Sequence, residues 1–250
     1  MLKPGLTFQF STTLAILSVI SCLLWIGLTE KKSLALRKIA VLDSIRDAVG
    51  RAVEMGRPLM FNIGSGAGQA GASESLVGYT VLGYVSRLCA SLKCRLIGTC
   101  MDPTILVIMQ NILHESYLAE GRPDDYKPED MLYLSGESMA YGAACWEIMM
   151  REKIAAHFFF NPMGPQALTM LETASRVGAI QVTGTAYTFR IPDVVVASDY
   201  FLIGEEIFAA AAYLWRWYQN LLVYLVGIRG STMLLRSRAR IQAMNVSFLL

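Results

Sequence analysis

The chain has 250 residues and a net charge of +2, which gives no general pull toward nucleic acid and leaves room for one good-sized domain or two small ones. It is apolar, with 54% hydrophobic and 17% charged residues and a mean hydropathy of +0.43. Ordinary soluble domains carry roughly 25% charge, so the composition points to an anchor combined with a sheet buried on both faces or with large subunit interfaces.

Residues 4–29 carry no charge, and Leu14 to Leu28 is dense in large apolar groups. About 20 such residues span a bilayer as a helix. Only Lys3 precedes the stretch, whereas Lys31, Lys32, Arg37 and Lys38 follow it. The positive-inside rule then predicts a single-pass anchor in the cell membrane, N-terminus outside and the rest cytoplasmic. A cleaved signal peptide fits less well, because the basic cluster lies on the wrong side and no small-residue cleavage site follows. Trp25 suits the inner interface.

The expected division is an anchor over 1–29, a basic linker over 30–42, an α/β domain over 43–230 and a basic, apolar tail over 231–250. Residues 43–55 predict an amphipathic helix, with Ile45, Val49 and Val53 on one face and Asp43 or Ser44 as cap. Leu59–Ile63 reads as a buried strand, followed by a Gly-rich loop over 64–73 and a helix over 74–92. Arg95–Thr99 is a second strand. Asp102 and Pro103 open a helix that runs to about Glu120. A polar loop over 121–128 leads to a strand at 131–134 and a helix at 138–151.

Further strands are expected at 155–160, 179–183 and 201–203, with helices at 166–177, at 192–198 and from Glu205. Strands alternating with helices predict a Rossmann-like parallel sheet with helices on both faces. Residues 207–228 resemble a second span, but Arg216 sits in its middle beside Gln219 and Asn220. A central Arg is costly in hydrocarbon. A domain helix, a break near Asn220 and a strand or interface segment fit better. Arg229, Arg236, Arg238 and Arg240 suit either lipid headgroups or plain solvation.

In such a sheet, ligands bind outside the carboxyl ends of the strands. That edge holds Asn62 and the Gly-rich loop, Thr99 and Asp102, Ser135, Glu137 and Ser138, Asn161, Thr183 and Thr185. The set is polar but chemically quiet. His114 lies inside a helix and His157 near the entering end of its strand, which argues against a Ser–His–acid site. No spacing suits a metal. Cys22, Cys89, Cys94, Cys100 and Cys145 form an odd, scattered set that reads as reduced, mostly buried thiols.

The most specific motif is Gly64-Ser-Gly66-Ala-Gly68-Gln-Ala-Gly71, in which Gly66, Gly68 and Gly71 match a dinucleotide fingerprint after a strand and before a helix. Asp102 is the candidate ribose ligand. It lies about 30 residues beyond Gly71, where about 20 is usual, and its place before Pro103 already explains it as a cap. A helix also precedes the strand. No Gly-Lys-Ser/Thr is present, so a P-loop is excluded.

Several segments resemble an uncharacterised family of bacterial and archaeal membrane-associated proteins that bear a domain of unknown function. They are Leu42-Asp43-x-Ile45-x-Asp47-Ala48-Val49-Gly50-Arg51-Ala52-x-Glu54-Met55-Gly56-Arg57-Pro58, Gly121-Arg122-Pro123-Asp124 with Tyr126, Pro128 and Glu129, Met150-Arg151-Glu152-Lys153, Gly178-Ala179-Ile180-Gln181, and Ser198-Asp199-Tyr200-x-Leu202-Ile203-Gly204-Glu205-Glu206. The resemblance covers about 42–230 and implies no activity. The chain departs from the pattern in its richer glycine stretch and in Trp215-Arg216-Trp217-Tyr218, an expected aromatic contact surface.

Two functions are therefore expected. The first is a non-enzymatic scaffold on the bilayer, a homo-oligomer or a subunit of a larger membrane complex, with Trp215, Arg216, Trp217 and Tyr218 at the interface. The alternative is a nucleotide- or dinucleotide-binding enzyme or sensor that uses Gly64, Gly66, Gly68, Gly71 and Asp102.

Overall fold

The computed structural model describes residues 12–19, 21–22, 40–63, 72–160, 164 and 166–214. The chain divides into two units, Met1–Lys38 and Ile39–Leu250. In the first, residues 12–19 are helical, and Leu14, Ile16, Leu17 and Val19 expose their side chains. Among the described residues no helix is long and apolar enough to cross a membrane. Trp25, the basic cluster and most of the expected anchor lie outside the described residues.

The second unit is the α/β domain. Its elements alternate as α1 (Ala40–Met55), β1 (Leu59–Ile63), α2 (Ala72–Leu92), β2 (Leu96–Cys100), α3 (Pro103–Ala119), β3 (Met131–Tyr133), α4 (Ser138–Glu152), β4 (Ala156–Phe160), α5 (Ala167–Arg176), β5 (Ile180–Thr185), α6 (Ile191–Ala197) and β6 (Tyr200–Ile203). A last helix, α7, occupies 205–214. Short 3-10 turns at Pro123–Asp125 and Pro128–Asp130 shape the loop before β3.

All six strands are parallel, in the order β3-β2-β1-β4-β5-β6. The chain thus starts in the middle, winds outward to β3, then returns to the centre and winds to β6. The point of reversal lies between β1 and β4, where Leu59 pairs with Ala156 and Asn62 with Phe159.

Both faces are covered, as the apolar runs require. On one face α1, α2, α3 and α7 pack over Leu59, Phe61, Ile63, Phe158 and Phe160. Phe61 stacks on Phe158 and on Phe160, each at 6.0 Å between centroids. On the other face α4, α5 and α6 cover Met60, Ile97 and Phe159. Every residue of β1, β2 and β4 is buried, which is why these strands read as continuous apolar runs rather than alternating ones.

The predicted face of the first helix needs correction. Ile45 and Val49 are buried, but Val53 is 39% exposed. Ala48 and Ala52 take the inner positions, where small side chains let the helix sit close to the sheet. Neither Asp43 nor Ser44 caps the helix, which begins earlier. Ser44 instead donates its hydroxyl to Val41 O at 2.7 Å.

Helices end here with a left-handed residue and a hydrogen bond that spans six residues. After α1, Gly56 has φ +61 and Arg57 N donates to Ala52 O at 3.1 Å. After α2 the same seat is taken by Lys93, with φ +59, and Cys94 N donates to Cys89 O at 3.0 Å. A lysine there carries steric cost that glycine does not. Gly184 serves a different purpose: a Cβ at this position would lie 2.6 Å from the Phe160 ring, so glycine permits the contact between β5 and that ring.

Candidate functional site

The carboxyl edge divides into a buried polar cluster and a rim of caps. The cluster forms because Asn62 of β1 and Thr99 of β2 are register partners facing α4. Asn62 Nδ2 donates to Thr99 Oγ1 at 2.5 Å and to Tyr141 OH at 3.0 Å. Tyr141 OH in turn donates to Thr99 O at 3.3 Å. Asn62 Oδ1 lies 2.5 Å from His157 Nε2, which donates to it because an amide oxygen only accepts. Cys145, one turn beyond Tyr141 on α4, closes the cluster with its Sγ 3.6 Å from Thr99 Oγ1.

Every member is completely buried, and burial governs their protonation. It pushes the Tyr141 hydroxyl well above its ordinary value and the Cys145 thiol up to about 11. It depresses His157 to about 4. At neutral pH the whole cluster is therefore uncharged. His157 pairs in register with Gln181. The Gln181 amide nitrogen donates to Leu171 O and Ala197 O at 2.9 and 2.7 Å. His157 Nδ1 and Gln181 Oε1 are left buried without partners. The cluster ties strands together under α4 and offers no activated nucleophile. In sequence, Tyr141 and Cys145 stand four residues apart and so share a helix face, but that spacing names none of their partners.

Most candidate rim residues are used as caps and turns. Asp102 accepts from Thr104 N at 2.8 Å and so caps α3, two residues beyond the end of β2. Glu137 caps α4, accepting from Met139 N and Ala140 N at 3.0 and 2.6 Å; these bonds hold its carboxyl below the usual range. Ser135 Oγ accepts from Glu137 N at 3.0 Å. Ser138 donates to Gln166. Thr183 and Ser198 share a hydrogen bond of 2.7 Å, and Thr185 accepts from Tyr187 N at 3.1 Å. Gly64, Gly66, Gly68, Gly71 and Asn161 lie outside the described residues, as do Trp215, Arg216, Trp217 and Tyr218.

The rim also holds an acid that no sequence motif marks. Glu74, in the first turn of α2, is 2% exposed. It accepts from Ala186 N, just past β5, while Oε2 is buried without a partner. Burial outweighs these hydrogen bonds and raises its carboxyl to about 7. Its signal was an acid that follows the glycine run after Ala72 and Ser73, in the first turn of the next helix. Among the described residues, no group of three or more His, Cys, Asp or Glu side chains could hold a metal ion.

No curated protein matches the chain. A solved glucose-6-phosphate 1-dehydrogenase from Mycobacterium avium is similar over 52% of this chain and 30% of that chain, at 16% identity and a TM-score of 0.31. The match thus spans under a third of the dehydrogenase, and it carries no argument about function. The profile of a domain of unknown function, DUF6754, matches residues 5–227. That span takes in most of the chain, which belongs to the DUF6754 family.

Proposed function

We propose that the α/β domain is a nucleotide- or dinucleotide-binding module whose ligand lies across the carboxyl ends of β1 and β4. The strand order β3-β2-β1-β4-β5-β6 carries this reading. In open parallel sheets of this order, the crevice at the reversal point accepts dinucleotides, and the first strand-to-helix connection holds the phosphates. Here that connection is the segment with Gly64, Gly66, Gly68 and Gly71, and α2 after it is 21 residues long. A helix start supplies free N–H groups to an anion. Asp102 follows β2, on the side where a ribose carboxylate is needed. Glu74 sits in the first turn of α2 and repels phosphate only when ionised.

Thermal shift against NAD(P), FAD and ATP tests the proposal. Stabilisation by one of them that is abolished in Gly68→Val supports it. Absence of any shift at millimolar ligand, or shifts indifferent to the substitution, sinks it.

The second reading is a membrane-anchored scaffold that self-associates or holds a larger complex. Exposed Leu14, Ile16, Leu17 and Val19 in the N-terminal unit favour the anchoring. Exposed Phe189, Tyr200, Phe201, Phe208 and Val196, the last at 84%, favour a partner surface near β6. A native mass spectrum of protein taken from membranes decides it. A concentration-independent monomer with nothing co-purifying removes the scaffold.

A further inference from the structure

At the opposite, amino-terminal edge of the sheet, a cavity of about 280 Å³ opens beside the end of α2. It reaches Cys89 and Cys94, and its charged lining is Lys93, Arg95, Arg122 and Lys127 with Asp125 and Asp130. The two cysteines meet for a backbone reason. In the helix ending described above, the residue two places past the last helical residue bonds back to the carbonyl four positions from the end, and their side chains come into contact. Cys94 and Cys89 occupy those two positions, joined by the Cys94 N to Cys89 O hydrogen bond of 3.0 Å. Lys93 takes the left-handed seat between them.

We propose that Cys94 and Cys89 form a thiol–disulfide exchange site for anionic low-molecular-weight disulfides. Cys94 is 7% exposed and faces the cavity, whereas Cys89 is fully buried. Cys94 Sγ lies 3.8 Å from Arg57 O and 3.9 Å from Arg95 O; the neighbouring Cys89 thiol lowers the Cys94 pKa, while burial pushes Cys89 upward. Cys94 is therefore the attacking sulfur and Cys89 the resolving one.

The charge of the rim selects the substrate. Arg95 is held by Asp130 at 2.8 Å and by Glu152 at 3.2 Å. Arg122 is held by Asp125 at 2.7 Å and donates to Ala90 O at 2.7 Å. Lys93 and Lys127 make no ion pair among the described residues, so the surplus charge at the cavity is positive.

In the first step the Cys94 thiolate attacks one sulfur of R–S–S–R, forming Cys94–S–S–R and releasing RS⁻. Cys89 then loses its proton to solvent and attacks the Cys94 sulfur. The Cys89–Cys94 disulfide forms and a second RS⁻ leaves. The two protein thiols lose two electrons, and the small disulfide gains them.

The full chain is incubated with oxidised glutathione, an anionic disulfide, or with cystamine, a cationic one, then digested and read by mass spectrometry. Trypsin cuts after Lys93, so the Cys89 and Cys94 peptides stay joined only when the bond exists. Expected are joined peptides from wild type, a stable glutathione adduct on Cys94 in Cys89→Ser, and no adduct on Cys89 in Cys94→Ser. Glutathione should react faster than cystamine, and Lys127→Gln should reduce that preference about fivefold, the size of one charge contact in water. Joined peptides that never appear, or labelling of the buried Cys100 and Cys145 as fast as Cys94, would overturn the site. Equal rates for the two disulfides would overturn its anion selectivity. The wild-type measurement needs no variant to fold.

Discussion

Asn62 and His157 join β1 to β4 through a buried hydrogen bond of 2.5 Å at the reversal point of the sheet. The same Asn62 side chain donates to Thr99 and Tyr141, so one amide satisfies three neighbours. Asn62→Leu leaves the buried His157 Nε2–H without its acceptor, while Thr99 and Tyr141 keep the 2.9 Å bond between their hydroxyls, and an orphaned buried group costs about 1–3 kcal/mol. Urea unfolding should show a loss at the upper end of that range or beyond it. Tyr141→Phe removes a single hydroxyl and should cost about 1 kcal/mol. Equal small losses for both would mean that Asn62 is no hub.

Glu74 and His157 should give stability opposite dependences on pH. Glu74 is raised from 4.5 to about 7, so its contribution is full below 4.5 and is lost as pH rises to about 7. His157 is depressed from 6.5 to about 4, so its contribution is full above 6.5 and is lost as pH falls toward 4. Between 4.5 and 6.5 the two slopes cancel. Glu74→Gln should expose the rising slope of His157, about 1.4 kcal/mol per pH unit at most. His157→Asn should expose the falling slope of Glu74. Denaturant titrations from acid to mildly basic pH check this, and parallel profiles for all three proteins would remove both assignments.

Asp102 permits a separation of cap from ligand. Asp102→Ala removes the acceptor for Thr104 N and should cost about 1 kcal/mol of stability. Asp102→Ser keeps a capping oxygen and should be nearly neutral. If Asp102 also holds a ribose, both variants should lose nucleotide affinity, measured by titration calorimetry. A serine variant with full stability and full affinity would leave Asp102 as a cap alone.

Gly184 tests the close approach of β5 to the aromatic face. A Cβ there would meet the Phe160 ring at 2.6 Å and Ile207 at 3.0 Å. Gly184→Ala should cost about 1–3 kcal/mol through overpacking. Thermal melts of this variant with and without Phe160→Leu should show partial rescue, because the smaller side chain vacates the space.

The strands were legible because burial on both faces leaves its mark in composition: Leu59–Ile63 and Ala156–Phe160 are short, dense runs bounded by polar or turn residues. The cap at Asp102 was legible because its signal is local and followed by proline. The polar cluster was not. Asn62 looks like one polar residue in an apolar strand, and nothing within β1 says that it will meet His157 of β4. That contact depends on strand order and register, which emerge only when the sheet assembles. Lys93 hid for another reason: a left-handed helix ending is signalled by glycine, as at Gly56, and a lysine in that seat carries no mark. Val53 misled because a spacing of four chose the larger side chain over the alanines that touch the sheet.

The reversal at the centre of the sheet also shapes how the chain is made. Asn62 and His157 stand 95 residues apart in sequence, a stretch that a ribosome adds in roughly 5 to 20 s. During that interval β1 has β2 as its partner on one side, with β3 beyond β2, and its other edge stays open. Parallel pairing across so long a stretch closes slowly, and an open strand edge invites stray pairing. The seam at the middle of the finished sheet thus closes only after the β1–β3 flank has been made, and β5 and β6 add to β4 after it. Nascent-chain arrest before and after Phe160, read by protease resistance, should show protection of β1 arising only once β4 has emerged.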